Sequence, residues 1–128
     1  MDSEKGIRLG DLQLRIMRVL WDSDAATVSE VQQRLDGSQP LAYTTVATML
    51  RKMEDRGLVD HLEDGRKFLY RARVSMHEVT RSMTGDLIDR LFQGSLADAV
   101  SHLLESREIS REELDRLDQM IRERKSQR

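Results

Sequence analysis

No cysteine occurs anywhere in the 128 residues. Disulfides and thiolate metal sites are thereby excluded, although the compartment is not fixed by that alone. No apolar run approaches the length needed to cross a bilayer. The opening MDSEKGIRLGD lacks the apolar core of a secretion signal, so no membrane insertion is expected and a cytoplasmic location is. Catalytic signatures are missing too. No serine sits in a nucleophile elbow, and no glycine-rich loop could cradle a phosphate. His61, His77 and His102 are far apart and share no ligand spacing, so each reads as an ordinary surface or helix residue. Neither an enzyme nor a cofactor or bound metal is expected. An excess of one charge is also lacking: 21 Lys and Arg face 23 Asp and Glu, for a net charge of -2. That balance does not announce a nucleic-acid binder, and only the distribution of charge can argue for one.

What is present is a moderately apolar, highly charged chain, 38% and 34% respectively. Such a composition suits helices with much exposed surface, completed by a partner subunit. The length allows one ordinary domain, or a small one with an appendage. The segment LAYTTVATMLRKMEDRGLV, Leu41 to Val59, follows the only proline, Pro40. Val46, Leu50 and Met53, with Met49 beside them, recur at helical spacing and define one apolar face. At about 100° per residue, Thr44, Thr48 and Arg51 fall on the opposite face, flanked by Thr45 and Lys52. Small hydroxyls followed by cations suit a nucleic-acid groove. Thr and Tyr meet base edges and methyls, and Arg and Lys meet guanine or phosphate. An ordinary amphipathic helix with a solvated polar face would show the same pattern, so the neighbouring elements decide.

Before this helix, Leu9, Leu12, Ile16, Val19 and Leu20 mark one face of a first helix, which Asp11 or Gly10 can cap. Trp21 ends that stripe and is expected to pack in the core. Thr27-x-x-Glu30 is a capping box opening a short second helix with Val28, Val31 and Leu35 inward. Asp36-Gly37-Ser38-Gln39-Pro40 stops it. After the third helix, Gly57 suits a left-handed terminus. Two strands are then expected, Leu58 to Leu62 and Lys67 to Arg73, joined by a turn at Glu63-Asp64-Gly65-Arg66. Arg66 and Lys67 put cations at its tip. Between Leu41 and Arg73 seven Lys and Arg stand against five acids, and from Val74 onward nine against eleven. Three helices and a cation-tipped hairpin, in that order, are the winged helix-turn-helix arrangement.

Beyond residue 74 three serines open three helices. Ser75-x-x-Glu78 precedes one to about Phe92, Ser95-x-x-Asp98 one to about Ser106, and Ser110-x-x-Glu113 one to about Arg124. Their stripes are thin. Met83, Leu87 and Leu91 lie on the first, Val100, Leu103 and Leu104 on the second, and Leu117 and Ile121 on the third. Such helices cannot all satisfy themselves within about fifty residues, and a symmetric partner could cover them. The fold expected is mainly α with a small antiparallel β-hairpin: a winged helix-turn-helix domain over 1–74 and a three-helix dimerisation domain over 75–128.

These residues resemble the penicillinase-repressor family, of BlaI/MecI type, with its copper-responsive CopY relatives. Leu9-Gly10-Asp11-Leu12 and Ile16-Met17-Arg18-Val19-Leu20-Trp21 match its opening. Thr27-Val28-Ser29-Glu30-Val31 matches its second helix. Leu41-Ala42-Tyr43-Thr44-Thr45-Val46 matches the start of its recognition helix and is the most specific piece. Gly57-Leu58-Val59 and Asp64-Gly65-Arg66 continue the match. The resemblance implies a homodimeric repressor on a palindromic double-stranded DNA operator. It implies that Thr44, Thr45 and Thr48 face bases, that Tyr43, Arg51 and Lys52 face bases or phosphates, and that Arg66 and Lys67 belong to the wing. It also implies a membrane sensor protease as a partner, which cuts the dimerisation region of the resistance members at an Asn-Phe pair. Here the corresponding positions read His102-Leu103, a departure from that pair. Copper sensing through a C-terminal cysteine motif is excluded. From the residues alone, a winged helix used to bind another protein is the alternative.

Overall fold

The apolar stripe from Leu12 to Leu20 folds as helix α1 (Asp11–Asp22) in a computed structural model that describes residues 7–35 and 40–127. Ile16, Met17, Val19 and Leu20 are its buried residues. Gly10 is the N-cap, and its N–H donates to Gln13 Oε1 at 3.2 Å. Trp21, half-buried against the core, donates its indole N–H to the Val74 carbonyl at 2.9 Å.

The Thr27 capping box starts α2 (Val28–Arg34). Glu30 N–H donates to Thr27 Oγ1 at 3.2 Å, and Thr27 N–H donates to Glu30 Oε1 at 2.8 Å. The expected stop at Asp36 to Gln39 lies outside the described residues. Across it, Gln32 Nε2 donates to the Leu41 carbonyl at 2.8 Å. That bond ties α2 to the approach to α3 (Tyr43–Asp55). Val46, Leu50 and Met53 of α3 are fully buried. Gly57, at φ +79°, ends the helix. Leu58 N–H bonds the Met53 carbonyl and Gly57 N–H the Glu54 carbonyl, the paired bonds of a Schellman cap. Buried Leu58 and Met53 supply its apolar contact. Arg56, the last residue before that glycine, donates to Gln13 Oε1 at 3.0 Å and to the Arg8 carbonyl at 2.7 Å, fastening the end of α3 to the start of α1.

The hairpin is β1 (Val59–Asp64) and β2 (Lys67–Ala72), antiparallel, with Asp64 opposite Lys67 and Val59 opposite Ala72. The turn is therefore two residues, Gly65 and Arg66, rather than the four expected. Gly65 at φ +65° allows a tight loop that matches strand twist, so Glu63 and Asp64 stay in the ladder. A single residue from the α1–α2 connection joins the other edge of β2. Ala26 and Tyr70 exchange both backbone hydrogen bonds, at 2.9 and 2.8 Å.

The chain forms two compact units, the first ending at Gly85. In the first, α1–α3 and the hairpin enclose one core. The early part of α4 (Met76–Phe92) completes it: Val79 is 2% exposed, Met83 packs alongside, and Ser82 Oγ donates to the Ile7 carbonyl at 3.2 Å. The second unit, from Asp86, holds the rest of α4 with α5 (Leu96–Ser106) and α6 (Arg111–Ser126). The serine caps form as the pattern predicts, with Ser75, Ser95 and Ser110 hydroxyls accepting from the Glu78, Asp98 and Glu113 N–H groups at 3.0, 3.0 and 3.1 Å. Ala99 is the only buried apolar residue beyond Gly85 among those described. Among the described residues no helix is long and apolar enough to cross a membrane.

Candidate nucleic-acid interface

With Val46, Leu50 and Met53 turned into the core, helix geometry leaves Thr44, Thr45, Thr48, Arg51 and Lys52 exposed on the outer side of α3. Tyr43, at its first turn, is 51% exposed. Arg51 Nη2 donates to Thr48 Oγ1 at 3.3 Å, one turn apart on this surface. The N-cap is Ala42, which offers no side-chain acceptor. The positive end of the α3 dipole is thus left open to an anion.

Between α3, the hairpin and the start of α2 lies a concavity of about 370 Å³. Tyr43, Ala47 and Arg51 line it from α3, Arg66 to Phe68 and Tyr70 from the hairpin, and Thr27 to Ser29 from α2. Four of the residues singled out from sequence, Tyr43, Arg51, Arg66 and Lys67, therefore share one rim. Thr44, Thr45, Thr48 and Lys52 stand outside the concavity, on the exposed crest of α3. Sequence reasoning missed Ser29 and Phe68 as members of this surface and saw Thr27 only as a cap. Their spacing carried no signal, because three separate elements bring them together.

Electrostatics divide the wing. On its outer side Asp60 accepts from Arg71 Nε at 2.7 Å and lies 3.9 Å from Arg73 Nε. The hydrogen bond from Arg71, then its charge, hold the Asp60 carboxyl below the usual range, and the same contact raises Arg71. Arg66 and Lys67 have no carboxylate within ion-pair distance among the described residues, so their charge is available at the tip. Burial, and then the negative charge of Glu54, push the Tyr70 phenol upward, which keeps it neutral. Glu30 is lowered by the Thr27 hydrogen bonds. His61 is not the lone surface residue expected. Its Nδ1 lies 2.8 Å from Glu54 Oε1. Among the described residues no group of three His, Asp or Glu side chains is placed to hold a metal ion.

A hydroxyl-and-cation helix face beside a cation-tipped hairpin is the arrangement of a winged helix-turn-helix protein. The penicillinase-repressor family profile matches residues 9–123. The chain is 26% identical over 121 residues to the penicillinase repressor of Bacillus licheniformis, spanning 94% of each. It is 32% identical over 121 residues to the transcriptional regulator BlaI of Mycobacterium tuberculosis, spanning 91% of this chain and 84% of that one. The solution structure of the Bacillus licheniformis BlaI monomeric form in complex with the blaP half-operator overlays 56% of this chain and 88% of that chain, at 25% identity and a TM-score of 0.48. The chain belongs to the penicillinase-repressor (BlaI/MecI) family of DNA-binding transcriptional repressors and is not an enzyme. That membership sets aside the protein-binding alternative.

Proposed function

We propose that two copies of this chain bind a palindromic DNA operator and repress the adjacent promoter. Each copy lays α3 in the major groove of one half-site, with Thr44, Thr45 and Thr48 toward base edges. Tyr43, Arg51 and Lys52 reach bases or flanking phosphates, and Arg66 and Lys67 of the wing take the neighbouring backbone. The observation that carries this reading is the shared rim: wing cations and the recognition helix border one concavity.

Residues 75–128 act as the dimerisation region in this reading. Leu87, Leu91, Val100, Leu103, Leu104 and Ile121 are between 36% and 70% exposed in the single chain. Leu117 is partly exposed as well, and Met83 supports the first unit's core. A second copy covering what remains exposed of such side chains would gain about 0.5–2 kcal/mol for each one. Two linked half-sites bind far more tightly than one, so a cut between the dimer helices would release the operator. The family's sensor-protease route would place that cut at His102-Leu103, inside α5. A helix cannot supply the extended backbone a protease grips, so α5 must open locally before the bond is cut.

Selection of duplexes from a random pool by the full chain tests the reading. An inverted repeat, bound by two chains in sedimentation, is expected, whereas a single half-site bound by one chain refutes the dimer. Intact mass of the chain from cells exposed to a β-lactam tests the release step. A fragment ending at His102 would support the cut despite the departure from Asn-Phe, and an unchanged mass refutes it.

A further inference from the structure

The hairpin is anchored in the core through Val59 and Tyr70, 1% and 3% exposed. From Leu62 to Phe68 every residue is exposed. A two-stranded hairpin holds little order by itself in water, so the placement of Arg66 and Lys67 depends on what fixes the strands below them. His61 stands at that boundary, paired with Tyr70 in the ladder. Its ring stacks on Phe68, with centroids 4.1 Å apart and planes at 17°, and tilts against Tyr70 at 5.5 Å. Its Nδ1 lies 2.8 and 2.9 Å from the two carboxylate oxygens of Glu54. An ionised carboxylate only accepts, so Nδ1 carries the proton and donates it. Among the described residues this is the only side-chain hydrogen bond between the hairpin and α3. Glu54 sits three residues beyond Arg51, on the same flank of the helix, and Phe68 follows Lys67 and lines the concavity.

We infer that His61 and Glu54 form a positioning pair that sets the wing against the recognition helix. Neither residue touches DNA. The contact runs from the wing tip through Phe68 to His61, and from His61 across the hydrogen bond to the helix that carries Arg51. Sequence-specific binding needs wing and helix in one register, because phosphate contacts fix where the base-reading residues stand. Non-specific attraction to phosphates needs only the cations. The pair therefore acts on specificity rather than on general affinity, and it rests on the DNA-binding role given above.

The test uses the full chain, a duplex it selects from a random pool, and an unselected duplex of the same length. His61→Phe keeps a stacking ring and removes the donor. Glu54→Ala removes the acceptor at a partly exposed helix position, which keeps the test independent of any folding defect in the first variant. Glu54→Gln keeps an acceptor oxygen. His61→Phe and Glu54→Ala are each expected to weaken the selected duplex about ten-fold per bound chain, the scale of one hydrogen bond to a charged group. Binding to the unselected duplex stays within about two-fold, since the cations that dominate it are retained. Glu54→Gln holds the wild-type preference within about three-fold, and the double variant is no worse than either single one. A selected duplex bound equally by all variants overturns the inference alone. So does an equal loss on both duplexes, or single losses that multiply in the double variant. Failure of the wild-type chain to enrich any duplex sinks the DNA-binding role itself, and the inference with it.

Discussion

Thr44, Thr45 and Thr48 are exposed on α3, and replacing all three with alanine is expected to move stability and binding in opposite directions. Among the described residues the only hydrogen bond to any of these hydroxyls is from Arg51 to Thr48, 3.3 Å long and exposed. Losing such a pair costs about 0.2–0.5 kcal/mol. Alanine is the better helix former by up to about 0.7 kcal/mol per residue in a helix interior, with less to gain in the first turn. The balance is a gain of roughly 0.5–1 kcal/mol. For a unit of this size that raises Tm by about 2–8 °C. Binding moves the other way. A base contact discriminates by about 1–3 kcal/mol, and single hydroxyls or methyls belong at the low end. Three such losses total about 3 kcal/mol, or roughly a hundred-fold per bound chain. Fluorescence anisotropy on a selected duplex, beside thermal melts followed by circular dichroism, reads both quantities. An unselected duplex should bind as before. Selected-duplex affinity within about three-fold of wild type, from a folded variant, would refute the recognition assignment. A large fall in Tm would show instead that these side chains are packed.

Trp21→Phe keeps an apolar ring but loses the 2.9 Å bond to the Val74 carbonyl; a loss of about 1 kcal/mol and a Tm lower by about 4–8 °C are expected, and an unchanged melt would refute the bond's contribution. Asp60, held below its ordinary 3.8 by Arg71, stabilises the fold above that value and loses the contribution as pH falls through its lowered folded value. The Tm gap between wild type and Asp60→Asn should accordingly shrink as pH drops below 3.8, whereas a gap independent of pH contradicts the assignment. A chain ending at Gly85 keeps Val79 in the core, while one ending at Ser75 exposes the surface that Val79 covers. The shorter fragment should be less stable by at least about 1.5 kcal/mol in urea titration, and equal midpoints would mean that α4 adds nothing to the first unit.

What the sequence made legible was whatever repeats locally. The capping patterns at Thr27, Ser75 and Ser110 state their helix starts within four residues; the first two close in both directions and the third through its hydroxyl. The face of α3 followed from its period, because Val46, Leu50 and Met53 could not all be buried otherwise. The hairpin came out with its turn too long, since Glu63 and Asp64 look like turn residues and only the positive φ of Gly65 keeps them in the ladder. The single-residue pairing of Ala26 with Tyr70 has no period at all and could not be read. Likewise Ile7 precedes the first helix yet is buried, a contact across more than seventy residues to Ser82. The concavity was invisible for the same reason. His61 looked ordinary because its partner, Glu54, sits on a different element and has no fixed spacing from it.

The sparse cations of α3 and the wing have a consequence for how the protein searches DNA. Arg51, Lys52, Arg66 and Lys67 are the charges assigned to phosphate or base contacts, in a chain of net charge -2. Four neutralised phosphates give a salt slope of about -3.6 per chain. Proteins that lean on many more phosphates pay for tight binding with long residence on the wrong sequence. In the proposed complex the few cations would hold bulk DNA lightly, and selectivity would fall to the threonine crest and the placement of the wing. In the proposed two-chain complex that slope doubles to about -7, so even a two-fold rise in salt would loosen the operator roughly a hundred-fold, through the same cations that hold all other DNA.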